Sequence, residues 1–220
     1  SEEPENFYHA CGRLKIKMPA ISADARQHFD GADRLSRDGR FDDAIAECGK
    51  AIAANAIFPE AFSLRAGAYV QKKQMQEATD DYSKAIEQNP YHRDYYIDRG
   101  NTRPRKDLKD YELAIADFGK AIELDPECAE AYDSRGECYR SQTKGPEALA
   151  DFHKATELDP GNGEYLYHEA LQLEDLLRKK EALADYNKYV ELSTAQGAEG
   201  DFPRLALVRK RIAALEGAAK

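Results

Sequence analysis

The sequence predicts an all-α chain built from five consecutive helical hairpins and closed by a C-terminal capping helix. Three observations predict it. One nine-residue block occurs five times, each copy has helical periodicity, and a proline follows each of the middle three copies at the same distance. The blocks read AIAECGKAI from Ala44, ATDDYSKAI from Ala78, AIADFGKAI from Ala114, ALADFHKAT from Ala148 and ALADYNKYV from Ala182. They are offset by 34, 36, 34 and 34 residues, and Pro90, Pro126 and Pro160 follow the middle three. A repeat of that length is one supersecondary unit that buries its apolar face against its neighbours.

Taken in order, residues 1–24 form an N-terminal extension in which Leu14-Lys15-Ile16-Lys17-Met18 alternates as an extended segment does. Five repeats follow at 25–58, 59–92, 93–128, 129–162 and 163–196. The first helix of each carries a stripe at i, i+3, i+4 and i+7: Phe62, Arg65, Ala66 and Tyr69 in the second, Tyr132, Arg135, Gly136 and Tyr139 in the fourth. The third has Tyr96, Arg99 and Gly100, the fifth Leu166, Glu169, Ala170 and Leu173, and the first the least regular set, His28, Gly31, Ala32 and Leu35. The second helices repeat the pattern, as in Ala114, Phe118 and Ala121. Small residues let two helices approach, and a ring from the opposing helix fills the gap. Asn-Pro or Asp-Pro ends the second helix, because proline disfavours a helical residue before it. Pro104 should end the first helix of the third repeat early. The two extra residues there read as a tolerated loop insertion or as a contact site using Arg103, Arg105, Lys106 and Lys109. Residues 197–220 form a cap and tail, with Leu205, Val208, Ile212 and Leu215 on one stripe and Arg204, Lys210 and Arg211 turned away.

This pattern resembles the tetratricopeptide repeat family, whose 34-residue unit runs aromatic-x-x-Leu-Gly-x-x-Tyr, then Ala-x-x-x-Phe, then Pro. The departures are Arg in place of Leu, and Ala56 and Thr194 where the first and last prolines should stand. The resemblance implies a right-handed superhelical solenoid with the first helices lining its concave side. It also implies a function in holding other proteins.

Net charge is −9, which repels a phosphate backbone or an anionic lipid surface and favours basic partners. No apolar run approaches the ~20 residues of a membrane helix, and no secretory leader is visible. Cys11, Cys48, Cys128 and Cys138 match no zinc spacing. They read as reduced thiols of a cytoplasmic protein, with a Cys128–Cys138 bridge as the alternative.

Helical geometry selects the groove-facing residues of the first helices, offset from the core stripe. They are Arg26, Phe29, Asp33 and Ser36, then Glu60, Ser63, Gly67 and Val70, then Asp94, Ile97 and Asn101. The fourth repeat supplies Glu130, Asp133, Glu137 and Arg140, and the fifth Glu164, Tyr167, Leu171 and Glu174. Carboxylates beside apolar anchors suit a ligand of basic and apolar character, although the same acidity also fits an ordinary solvated face. The chaperone-binding members of the family hold a C-terminal carboxylate with cations; Asp33, Asp94 and Asp98 on the equivalent surface here argue against that subfamily. Arg65, Arg99 and Arg135 should pair with Asp81, Asp117 and Asp151 and fix hairpin register.

The chain therefore reads as a protein-interaction scaffold or adaptor that takes no cofactor, metal, nucleic acid or membrane. The alternative is an assembly subunit, a homo-oligomer associating through repeat edges or the N-terminal arm. A narrower idea places Arg13–Met18 in the acidic groove as a stand-in ligand. Enzyme readings fare poorly: there is no H-E-x-x-H, phosphate-binding Gly loop or G-x-S-x-G, and the five histidines do not cluster in sequence.

Overall fold

The computed structural model describes residues 20–195 and 203–217. The N-terminal segment Arg13–Met18, with the extended reading of Leu14–Met18 and its groove-ligand role, and Cys11 lie outside them. The described residues form eleven α-helices and no strand. These fall into two compact units, one ending at Pro126 and one beginning at Glu127.

The first unit holds α1 (Ala23–Arg37), α2 (Phe41–Ala54), α3 (Pro59–Gln71), α4 (Met75–Gln88), α5 (Arg93–Thr102) and α6 (Leu108–Leu124), each packed on the next. The second holds α7 (Ala129–Ser141), α8 (Gly145–Leu158), α9 (Gly163–Asp175), α10 (Lys179–Ala195) and α11 (Pro203–Gly217), again each on the next. The expected helical hairpins and the helix after the last repeat are present.

Local chemistry explains the boundaries. Asn89, Asp125 and Asp159 leave the helical region at the C-caps of α4, α6 and α8, each directly before its proline. α5 stops at Thr102, two residues before Pro104, with Arg103 already extended. The turns inside the α1–α2, α3–α4, α7–α8 and α9–α10 hairpins share one closure. Gly39, Lys73, Thr143 and Leu177 have φ of 74°, 60°, 59° and 60°. The next N–H returns to a carbonyl five residues back, as Gln74 to Tyr69 at 2.9 Å and Arg178 to Leu173 at 2.8 Å. This is the left-handed helix stop that glycine adopts at least cost.

The core is narrow and layered. A Cβ on Gly100 would stand 2.8 Å from a carbon of the Phe118 ring, and one on Gly136 equally close to Phe152. Both rings are fully buried. Ala66 faces Tyr82 in the equivalent layer of α3–α4. Cys48, Cys128 and Cys138 are buried thiols outside any disulfide, so no Cys128–Cys138 bridge forms. Burial pushes the Cys48 thiol up to about 12, which leaves it un-ionised and inert at neutral pH. No described helix is long and apolar enough to cross a membrane.

Two opposite stability changes follow. Gly136→Ala should cost roughly 1–3 kcal/mol by forcing a methyl into the Phe152 ring. Leu177→Gly should add about 1 kcal/mol by relieving a side chain held in the left-handed region. Urea denaturation of each variant measures both.

Candidate functional site

The arginine–aspartate pairs set the frame on which the candidate surface is mounted. Arg65 Nε donates to Asp81 at 2.6 Å and its Nη2 at 2.8 Å; Arg135 grips Asp151 through the same two nitrogens at 2.7 and 2.8 Å. Arg99 donates to both oxygens of Asp117 at 3.1 and 2.6 Å, with its Nη1 on Ser83 at 3.1 Å. The predicted partners are the observed ones. The three aspartates are 7%, 4% and 6% exposed, so each carboxylate needs its guanidinium to avoid an uncompensated buried charge. Hydrogen bonding to Asp81 and to Asp151 raises the Arg65 and Arg135 pKa. Arg103 was a candidate surface contact; instead it turns inward and donates to Asp117 at 2.8 Å. Arg105, Lys106 and Lys109 remain exposed.

In the first unit, Phe29 is half-buried with its ring 5.0 Å from Phe58, and the Arg26 guanidinium lies over both rings. Asp33 pairs with Arg37. Glu60 is exposed in the first turn of α3, while Ser63, Gly67 and Val70 are half-buried. Asp94 is exposed and bonded to Arg93 at 3.1 Å; Asn101 is exposed. Ile97 is only 3% exposed and belongs to the core.

In the second unit nearly every predicted carboxylate already holds a cation. His168 Nδ1 lies 2.8 Å from Asp133, and Arg140 donates to Glu137 at 3.0 Å. Glu164 pairs with Arg204, whose guanidinium also lies 5.0 Å from the Tyr167 ring centroid. Glu174 receives Arg211 at 2.7 Å and the Tyr186 hydroxyl at 2.9 Å. Tyr167 is 8% exposed, in a cluster with Tyr186, Tyr189 and Val208 that half-buried Leu171 flanks. Glu130 stays exposed at the start of α7. The apolar stripe of α11 packs as expected, but Arg204 and Arg211 are not turned away: they reach back to α9. Their spacing of seven equals that of the core stripe (Leu205 to Ile212, Val208 to Leu215), so spacing alone carried no signal that they would reach Glu164 and Glu174.

Among the described residues no group of three or more His, Cys, Asp or Glu could hold a metal ion.

His168 makes this surface pH-dependent. Burial is the largest single influence and opposes protonation. The hydrogen bond His168 donates to Asp133, the Asp133 charge and that of Glu137 together outweigh it, so the pKa stands above the ordinary 6.5. Protonated His168 therefore stabilises the fold in full below the unfolded value of 6.5, and that stabilisation is lost as pH rises through the higher folded-state pKa. Urea midpoints should fall as pH rises from the unfolded value of 6.5 through the higher folded-state pKa, and His168→Gln should flatten this part of the profile.

The model of the family described as tetratricopeptide repeat matches residues 29–93 and 105–163. No curated protein matches the chain. Among solved structures, a double mutant titled MamA RS-1 ArsTM superposes with a TM-score of 0.74 at 21% identity, covering 82% of this chain and 100% of that one. MamA 41-end from Desulfovibrio magneticus RS-1 gives 0.73 at 21% identity, covering 80% and 99%. YrrB, titled a TPR protein with an unusual peptide-binding site, gives 0.66 at 26% identity, covering 86% and 92%. With the recurring hairpins, their glycine–ring layers and the matched model spanning most of the repeats, the chain belongs to the tetratricopeptide repeat family.

Proposed function

We propose that this chain is a protein-interaction scaffold that takes peptide segments of basic and apolar character on the first-helix stripes within each of its units. One observation carries the reading: the first helices present exposed carboxylates and half-buried apolar side chains, Phe29 on α1, Glu60 and Val70 on α3 and Asp94 on α5 in the first unit, Glu130 on α7 and Leu171 on α9 in the second. Tetratricopeptide repeat proteins mediate protein–protein interaction, and YrrB, 26% identical, carries a peptide-binding site. Preformed helices lower the ordering cost of such binding.

The carboxylates available to a ligand are fewer than the acidic composition suggests. Asp133 is bonded to His168, and Glu137, Glu164 and Glu174 hold Arg140, Arg204 and Arg211, so a ligand would have to displace these partners. Glu60 and Glu130, exposed in the first turns of α3 and α7, supply the charge selection. The ligand is accordingly mixed, a few cations among apolar anchors, rather than polybasic.

Partners captured from lysate by the intact protein should be mapped to peptides and titrated against Glu60→Lys and Glu130→Lys. Reversal of either charge should weaken binding roughly three- to tenfold at low salt, with less effect at high salt. Unchanged affinity in both variants, or a preference for acidic peptides, would remove the stripe from the account. Light scattering of the free chain over a concentration range tests self-association directly: stable oligomers would favour the assembly reading instead.

A further inference from the structure

A cleft of about 740 Å³ opens between α8, α9 and α10, away from the stripe discussed above. Its α9 wall is Glu169, Leu173 and Leu176. At about 100° per residue these stand on the opposite side of α9 from Tyr167, Leu171 and Glu174. Leu149 of α8 completes the apolar wall; His153 of α8 and Asp185 of α10 complete the polar end.

The register shows what this cleft lacks. Arg65, Arg99 and Arg135 occupy one position of the first helix in three hairpins, and Asp81, Asp117 and Asp151 occupy the matching position of the second. In α9–α10 the aspartate persists as Asp185, but the arginine position is Glu169. Two carboxylates face each other where a guanidinium and a carboxylate pair elsewhere. Glu169 is 6% exposed and is bonded to His153 Nδ1 at 2.7 Å. Burial first, then the Glu169 charge, push the Asp185 carboxyl up to about 6, as expected of an acid short of counter-charge. The other charged groups facing Asp185 are Lys188 and Glu181 on its own helix and His153 on α8.

An acceptor short of a donor stands beside the cleft, outside its lining. Gln172, three residues on from Glu169 and only 3% exposed, has a buried Oε1 with no hydrogen-bond partner. Its amide lies beside Gly145, next to Pro146 and Leu176 of the cleft lining. Between the lining residues Leu176 and Arg178, Leu177 is 78% exposed on its left-handed turn, where three other hairpins carry Gly39, Lys73 and Thr143. Arg178 is held on Glu181 by two hydrogen bonds of 2.7 and 2.6 Å.

We propose that this cleft receives an arginine side chain from a partner protein. The incoming guanidinium restores the arginine–aspartate fork on Asp185 that Glu169 has removed, and its stem lies against Leu149, Leu173 and Leu176. Arginine is favoured over lysine because its planar fork grips a carboxylate through two nitrogens, as at Asp81 and Asp151. The partner presents that arginine between apolar residues, which cover Leu177.

The test is fluorescence anisotropy of the full chain with labelled peptides of sequence Ser-Leu-Leu-Arg-Leu-Ser-Gly, one carrying arginine and one citrulline, its neutral isostere. The arginine peptide should bind at least tenfold more tightly. Glu169→Arg supplies the missing group in cis and should raise Tm while abolishing the difference between peptides. Asp185→Asn should abolish it without the gain in Tm, so a misfolded Glu169→Arg does not shelter the proposal. Glu130→Lys, which tests the groove, should leave it intact. Equal binding of the two peptides to the parent chain would overturn the proposal, showing that Arg178 or solvent already satisfies the cleft. So would retention of arginine preference in Asp185→Asn.

Discussion

Close approach of two helices at a residue with little or no side chain is the constraint on which the hairpins depend. In α5–α6 and α7–α8 that residue is Gly100 or Gly136, with the Phe118 or Phe152 ring filling the space a Cβ would take. The residue just before the glycine is the arginine, and the residue just before the ring is the aspartate. The two contacts are thus one level of structure. A fork of two hydrogen bonds near 2.7 Å forms only if the backbones come as near as the missing Cβ allows. The aspartates reached in this way are almost wholly buried, and a buried carboxylate is tolerable only when paired and hydrogen-bonded. Steric and electrostatic demands therefore fix the same register.

The fifth hairpin keeps one demand and alters the other. Ala170 and Tyr186 retain the small-residue and ring layer, so the helices still pack. The charges change sign: Glu169 meets His153 from the preceding helix instead of an aspartate of its own hairpin. Packing alone can hold a hairpin together, and the fork adds register more than cohesion. The same hairpin turns on Leu177, a side chain in a conformation suited to glycine. Lys73 and Thr143 hold the same left-handed turn, so what sets this hairpin apart is the acidic residue in the arginine position.

Much of this was legible in the sequence. The period, the i, i+3, i+4, i+7 stripes and the prolines located the helices, because local periodicity and backbone sterics determine them. The three arginine–aspartate pairs were legible because repetition placed both partners at fixed register. The surface was less so. Arg103 looked like a loop cation, yet its position in place of a tyrosine aims it inward at Asp117. Arg204 and Arg211 looked solvent-facing, because a helix read alone does not show which neighbour rises beside its polar flank. Ile97 and Tyr167 were chosen as exposed anchors from helical offset, but offset alone cannot register tertiary burial, and both are buried. The substitution of Glu169 for arginine was visible in the aligned repeats; the cleft it borders was not, since that depends on how three helices meet.

A net charge of −9 therefore describes the chain and not a binding surface. Long-range steering follows the total, since every unneutralised carboxylate contributes to the field that draws a cation in. Specific capture follows availability, and availability depends on what each carboxylate already holds. Asp133, Glu137, Glu164 and Glu174 are committed to His168, Arg140, Arg204 and Arg211, so a cationic ligand there exchanges one ion pair for another and gains little. At Asp185 no arginine stands in the position that serves its counterparts, and burial has already raised the carboxyl. The physical distinction between the two faces of α9 is thus between charge that has been spent on folding and charge that folding has left over.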